Sequence, residues 1–128
     1  MKFHLEDDSL TIIFEGVEQL WAFRRKLTIP KLDITHAVWQ EGVSIPRREL
    51  GWRIGGTALP GILFAGRFMG FEGRNFVYLQ RPRGMFGDVQ VAHALTLEVK
   101  NCPYKRFILT IDKPDIAQSI ITWWSGNV

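Results

Sequence analysis

The chain opens with two short segments, 2–5 and 9–14, around the polar break Glu6-Asp7-Asp8. Leu10, Ile12 and Phe14 alternate with Ser9, Thr11 and Ile13, the period of a strand buried mainly on one face. This predicts a β-hairpin turning at the acids. After Gly16, Val17, Leu20 and Trp21 fall at helical spacing and predict one or two helical turns. The period of two returns at Lys26 with Leu27 and Ile29, and Pro30, which has no N–H to donate, breaks the ladder. Leu32, Ile34, His36 and Val38 then share one strand face, with Asp33, Thr35, Ala37 and Trp39 on the other. Residues 40–49, with Gly42 and Pro46, read as a loop.

The middle of the chain is rich in glycine, from Gly51 through Gly55, Gly56, Gly61, Gly66 and Gly70 to Gly73. Glycine within β structure marks bulges, bends or close backbone approach. Trp52 to Gly56 forms a weak strand, Ile62 to Phe68 a bending one, and Asn75 to Leu79 a third. Residues 80–89 read as an exposed loop. The last third has the strongest periodicity. Leu95, Leu97 and Val99 alternate with polar residues, Asn101-Cys102-Pro103-Tyr104 makes a turn, and Phe107, Leu109 and Ile111 resume the alternation: a hairpin. Asp112 is placed to cap a helix with Pro114 in its first turn. Ile116, Ile120, Trp123 and Trp124 then form a broad apolar stripe.

Together these patterns predict one mostly-β domain over residues 1–128, with about seven to nine antiparallel strands bent into a small barrel or sandwich and a C-terminal α-helix capping one open end. The length of 128 residues is enough for one substantial core.

Composition narrows the function. Apolar residues are 46% and charged residues 23% of the chain, an ordinary globular balance that weighs against disorder. A net charge of +3 is too small to point to a nucleic-acid binder, whose bases cluster on one face. The single cysteine, Cys102, excludes an intramolecular disulfide and a thiolate cluster. Acids interrupt the opening residues too early for a secretory signal, and the longest apolar run is far short of the roughly 20 residues of a membrane helix. The expected setting is the cytoplasm.

No motif amounts to an active site, and the chain reads as a non-enzyme without metal or cofactor. His4, His36 and His93 lie far apart, with none of the close pairings that hold a metal. His36 shares a strand face with Ile34 and Val38 and reads as a core or rim histidine, His93 as a loop-edge one. The serines occupy no nucleophile elbow, Cys102 has no neighbouring base, and the glycines match no phosphate-loop spacing.

The stretches Gly56-Thr57-Ala58-Leu59-Pro60-Gly61, Ala65-Gly66-Arg67-Phe68 and Asp112-Lys113-Pro114-Asp115-Ile116-Ala117 resemble those of bacterial pleckstrin-homology-like (PH-like) domain proteins. The resemblance covers nearly the whole chain and rests on structural glycines and prolines. It implies a bent sheet barrel closed by the last helix, and it is almost silent about function. Many eukaryotic pleckstrin-homology domains grip phosphoinositides through bases around the first hairpin; here that loop is Glu6-Asp7-Asp8, which would repel an inositol phosphate.

Two groups of candidate binding residues follow. Arg47, Arg48, Arg53, Arg67 and Arg74 would supply an anion site if the fold brings them together. Trp123 and Trp124, about 100° apart on a helix, cannot both face one narrow seam, and with Met85 and Phe86 at the tip of a glycine-bounded loop they are candidates for a contact surface. The expected function is a binding or scaffold module that contacts a protein or its own copy. The alternative is a peripheral module on an anionic membrane surface. No small-molecule substrate is suggested.

Overall fold

The computed structural model describes residues 2–15, 26–45, 52–59, 63–70, 73–80, 82, 88–102, 104–111 and 113–125, the backbone alone over 52–59. Strands β1 (Lys2–Leu5), β2 (Ser9–Ile13) and β3 (Lys26–Pro30) pair antiparallel in a three-stranded sheet. A 3₁₀ turn, Lys31–Asp33, leads into β4 (Ile34–Ile45). Then come β5 (Trp52–Leu59), β6 (Leu63–Gly70), β7 (Gly73–Gln80), β8 (Val89–Val99), β9 (Arg106–Leu109) and the helix α1 (Pro114–Ser125). The second sheet has the order β4-β8-β9-β7-β6-β5.

The chain is therefore mostly β with one C-terminal helix, but the expected barrel is corrected: there are two sheets and no closure, because β4 and β5 form opposite outer edges of the larger sheet. Nor is the pairing wholly antiparallel. β9 turns back along β8 and lies between β8 and β7, so Asn75 to Tyr78 pair parallel with Arg106 to Leu109.

The opening hairpin forms as its pattern predicts. Leu5 pairs with Leu10, and the Glu6 N–H donates to the Ser9 carbonyl at 2.9 Å. Leu10, Ile12 and Phe14, with Leu27 and Ile29, bury one face of the small sheet against Leu95, Leu97, Phe107, Leu109, Phe76 and Tyr78 of the large one. Phe14 meets the rings of Phe76 and Tyr78 at 5.7 and 6.0 Å. Ala117 and Ile120 bring the helix onto the same core, with Ile116, Trp123 and Trp124 half-buried beside it. The opposite face of β6, β7 and β9 is apolar too. Phe64, Phe68, Val77, Leu79 and Ile108 cluster there with Ile45, Val89 and Val91 from the far ends of β4 and β8.

Three local expectations change. The loop expected from Gln40 is a strand as far as Ile45, paired with β8 through Glu41 with His93, Val43 with Val91 and Ile45 with Val89. Its polar residues lie on an exposed edge, and Gly42 there has φ +63. The alternation from Leu32 to Trp39 is broken by a bulge between Ile34 and His36, so Ala37 faces the core and His36 is exposed. Leu32, on the 3₁₀ turn, faces solvent. His93 sits within β8, not on a loop edge. The helical turns expected around Val17 to Trp21 and the Asp112 cap lie outside the described residues.

Candidate functional site

One end of the molecule gathers the β1–β2 turn, the 3₁₀ turn, the β8–β9 turn and the last turn of α1. Both indoles of the helix are committed there. Trp124 Nε1 donates to the Ile34 carbonyl at 3.0 Å, and Trp123 Nε1 donates to the Glu6 carbonyl. The Lys31 ammonium lies over the Trp123 ring, 5.1 Å from its centroid, within cation–π range. His36 approaches Trp124 edge-on at 6.3 Å. The Trp123-Trp124 pair is thus half-buried mortar between elements, with part of each ring accessible.

The 3₁₀ turn is tied at both sides. Its first N–H, from Lys31, donates to the Asp8 carbonyl at 2.8 Å, while the Asp33 carbonyl accepts from the Lys100 N–H at 2.8 Å. Leu32 projects between these ties and is 86% exposed. Leu5, beside the acidic turn, is the other exposed large apolar residue among those described. Leu32 is thus the most exposed large apolar side chain among the described residues, on a turn held by backbone bonds at both ends. Sequence periodicity missed it, because Leu32 falls in step with Ile34 unless the 3₁₀ turn over Lys31–Asp33 is known. Pro30, which ends β3, was the available clue.

The predicted arginines are only partly united. Arg47, Arg48, Met85 and Phe86 lie outside the described residues, and Arg53 is placed by its backbone alone, opposite Phe68. Arg67 and Arg74 are exposed on adjoining strands; Arg67 pairs with Phe76 and Met69 with Arg74, which makes the arginines diagonal neighbours on one face. Lys105, exposed, joins them, its N–H donating to the Arg74 carbonyl at 2.8 Å. Lys100, just after β8, and Lys105, just before β9, lie at the same sheet end as Arg74 of β7. Lys100 and Lys105 were not singled out from the sequence, since only the register brings them beside Arg74.

The remaining chemistry is dispersed. Among the described residues no three of His, Cys, Asp and Glu gather in a way that could hold a metal. His4 lies opposite Thr11 in the small sheet. His93 stacks flat on Trp39 at 5.7 Å, its Nδ1 buried without a hydrogen-bond partner, while Trp39 Nε1 donates to the Ile111 carbonyl at 3.1 Å. Cys102 is half-buried against the core. An open depression on the outer helix face is lined by Asp115, Gln118, Ser119, Thr122 and Trp123. None of the described helices is long and apolar enough to cross a membrane.

No family model matches the chain, and neither a curated protein nor a solved structure matches it.

Proposed function

We propose that the chain is a non-catalytic binding module with a PH-like arrangement of bent sheet and capping helix, and that it contacts protein through the end built around Leu32. The observation that carries this reading is the exposure of Leu32, 86%, on a turn tied by backbone bonds on both sides. A solvated side chain on a floppy loop costs little to leave exposed and orders at a cost on binding; one on a rigid corner is already in place. The half-buried indole of Trp123 supplies a residue type enriched in protein interfaces.

The anionic-membrane alternative is the weaker one. A bilayer would meet the whole end at once, and exposed Glu6, Asp7 and Asp8 share that end with Leu32. Like charge against the headgroups would oppose attachment.

A photo-crosslinking amino acid at position 32, introduced in cells that make the protein, tests the reading. Irradiation is expected to join position 32 to a protein, while the same residue at exposed Gln90 is expected to give none. Absence of any adduct from position 32 would overturn it.

A further inference from the structure

A row of unpaired N–H and C=O groups along a sheet edge is a template for another strand, and folded proteins blunt such edges. Three of the four outer strands are poor templates by their build. β1 has 4 residues, β3 ends at Pro30, which has no N–H, and β5 shifts register between Arg53 and Gly55. β4, with 12 residues, is the exception. Trp124 of the helix lies against its start, bonded to the Ile34 carbonyl and edge-on to His36. Further along, Gln40, Glu41, Gly42 and Ser44 are exposed.

We infer that Gly42 guards this edge: it keeps β4 from pairing with the β4 of a second copy of the chain. Its φ of +63 lies far from the strand region, and the pairs with β8 step over it, from Glu41 with His93 to Val43 with Val91. An incoming strand needs an even row of N–H and C=O groups. A left-handed residue turns the peptide groups on either side of it out of that row. β4 therefore offers two separate runs, His36 to Glu41 and Val43 to Ile45, in place of one continuous edge. Nothing stands within 4 Å of where a Gly42 Cβ would be, so glycine is here for its conformation and not for want of space. Exposed Glu41 adds to the guard, because copies paired through this stretch would bring like charges close. Leu32 plays no part in it.

Light scattering after gel filtration, over a concentration series of the full chain, tests the guard. Valine strongly disfavours a φ near +63 and favours the strand region. Gly42→Val is therefore expected to make the edge continuous and to raise the self-association constant over wild type at least about tenfold. Two added intermolecular hydrogen bonds are enough to supply that rise. Gly42→Asn, which tolerates the left-handed region, is expected to associate no more than wild type. Asn101→Val puts the same β-branched residue at a φ of 54 in the β8–β9 turn, and is expected to lose stability without associating. Circular dichroism checks that the variants fold. A folded Gly42→Val that associates no more than wild type would overturn the guard. So would Asn101→Val associating as strongly, since lost stability and not the edge would then be the cause. Should Gly42→Val not fold, amide exchange of the wild-type protein decides. Exchange over Gln40 to Ile45 is expected to be independent of protein concentration, and its slowing at high concentration would show an edge that pairs despite Gly42.

Discussion

The indole N–H of Trp124 donates to the carbonyl oxygen of Ile34 across 90 residues of chain, at 3.0 Å. It joins the last turn of the helix to the first residue of β4, the residue just before the bulge. One bond thus ties the C-terminal helix to the strand that leaves the 3₁₀ turn.

Removing only that bond should be measurable apart from removing the ring. Trp124→Phe keeps most of the packing and strands the Ile34 carbonyl, a loss of about 1 kcal/mol. Trp124→Ala removes the packing as well and should cost about 3 kcal/mol, the low end for an aromatic truncation because the ring is half-buried. Urea denaturation of both variants gives the two values. Equal losses would mean that the hydrogen bond contributes everything and the ring nothing, against this account.

Gly42 permits a second, local test. Its φ of +63 lies in the left-handed region, yet nothing stands within 4 Å of where a Cβ would be. The cost of Gly42→Ala is therefore conformational, about 1 kcal/mol. Gly42→Asn should cost less, since Asn tolerates that region. A loss much larger than this for alanine would show that the space around Gly42 is filled.

How much of this was legible in the sequence depends on how local the cause is. The hairpin of Leu95 to Ile111 and the helix from Pro114 were legible because alternation, turn residues and a helical stripe all agree within a few positions. The stripe itself shifted slightly: Ala117, a small residue with no weight in the pattern, is buried where Ile116 is only half-buried. The strand at Gln40 to Ile45 was not legible, because its polar residues lie on a sheet edge and only β8 across from it makes it a strand. The contact surface was legible in part. Trp123 and Trp124 were identifiable as an unusual pair, but the exposure of Leu32 depends on the 3₁₀ turn, and the approach of Lys105 to Arg74 depends on strand order, which one sequence does not display.

Among the described residues, His93 carries a buried side-chain nitrogen with no hydrogen-bond partner. It stacks on Trp39 with an interplanar angle of 1°, and its Nδ1 is buried without a partner. An unpaired polar atom out of water is unfavourable, and replacing it with an apolar atom of similar shape can be neutral or stabilising. His93→Phe should preserve the stack and leave stability unchanged or raised by up to about 1 kcal/mol. A thermal melt reads this directly. A drop of that size instead would reveal that Nδ1 is satisfied, by an ordered water for instance.

Asn101 links the fold to the proposed surface. It sits in the β8–β9 turn at φ 54, closed by the Val99 N–H donating to the Lys105 carbonyl at 3.0 Å. Asn is among the few non-glycine residues that take up this conformation readily. Asn101→Gly should therefore be close to neutral, within about 0.5 kcal/mol. Asn101→Val, β-branched at a positive φ, should cost at least about 1–2 kcal/mol. The same turn holds Lys100 against Asp33 and Lys105 against Arg74. Chemical denaturation of the two variants reads the difference, and a valine variant as stable as the glycine one would mean that the turn does not hold position 101 at a positive φ.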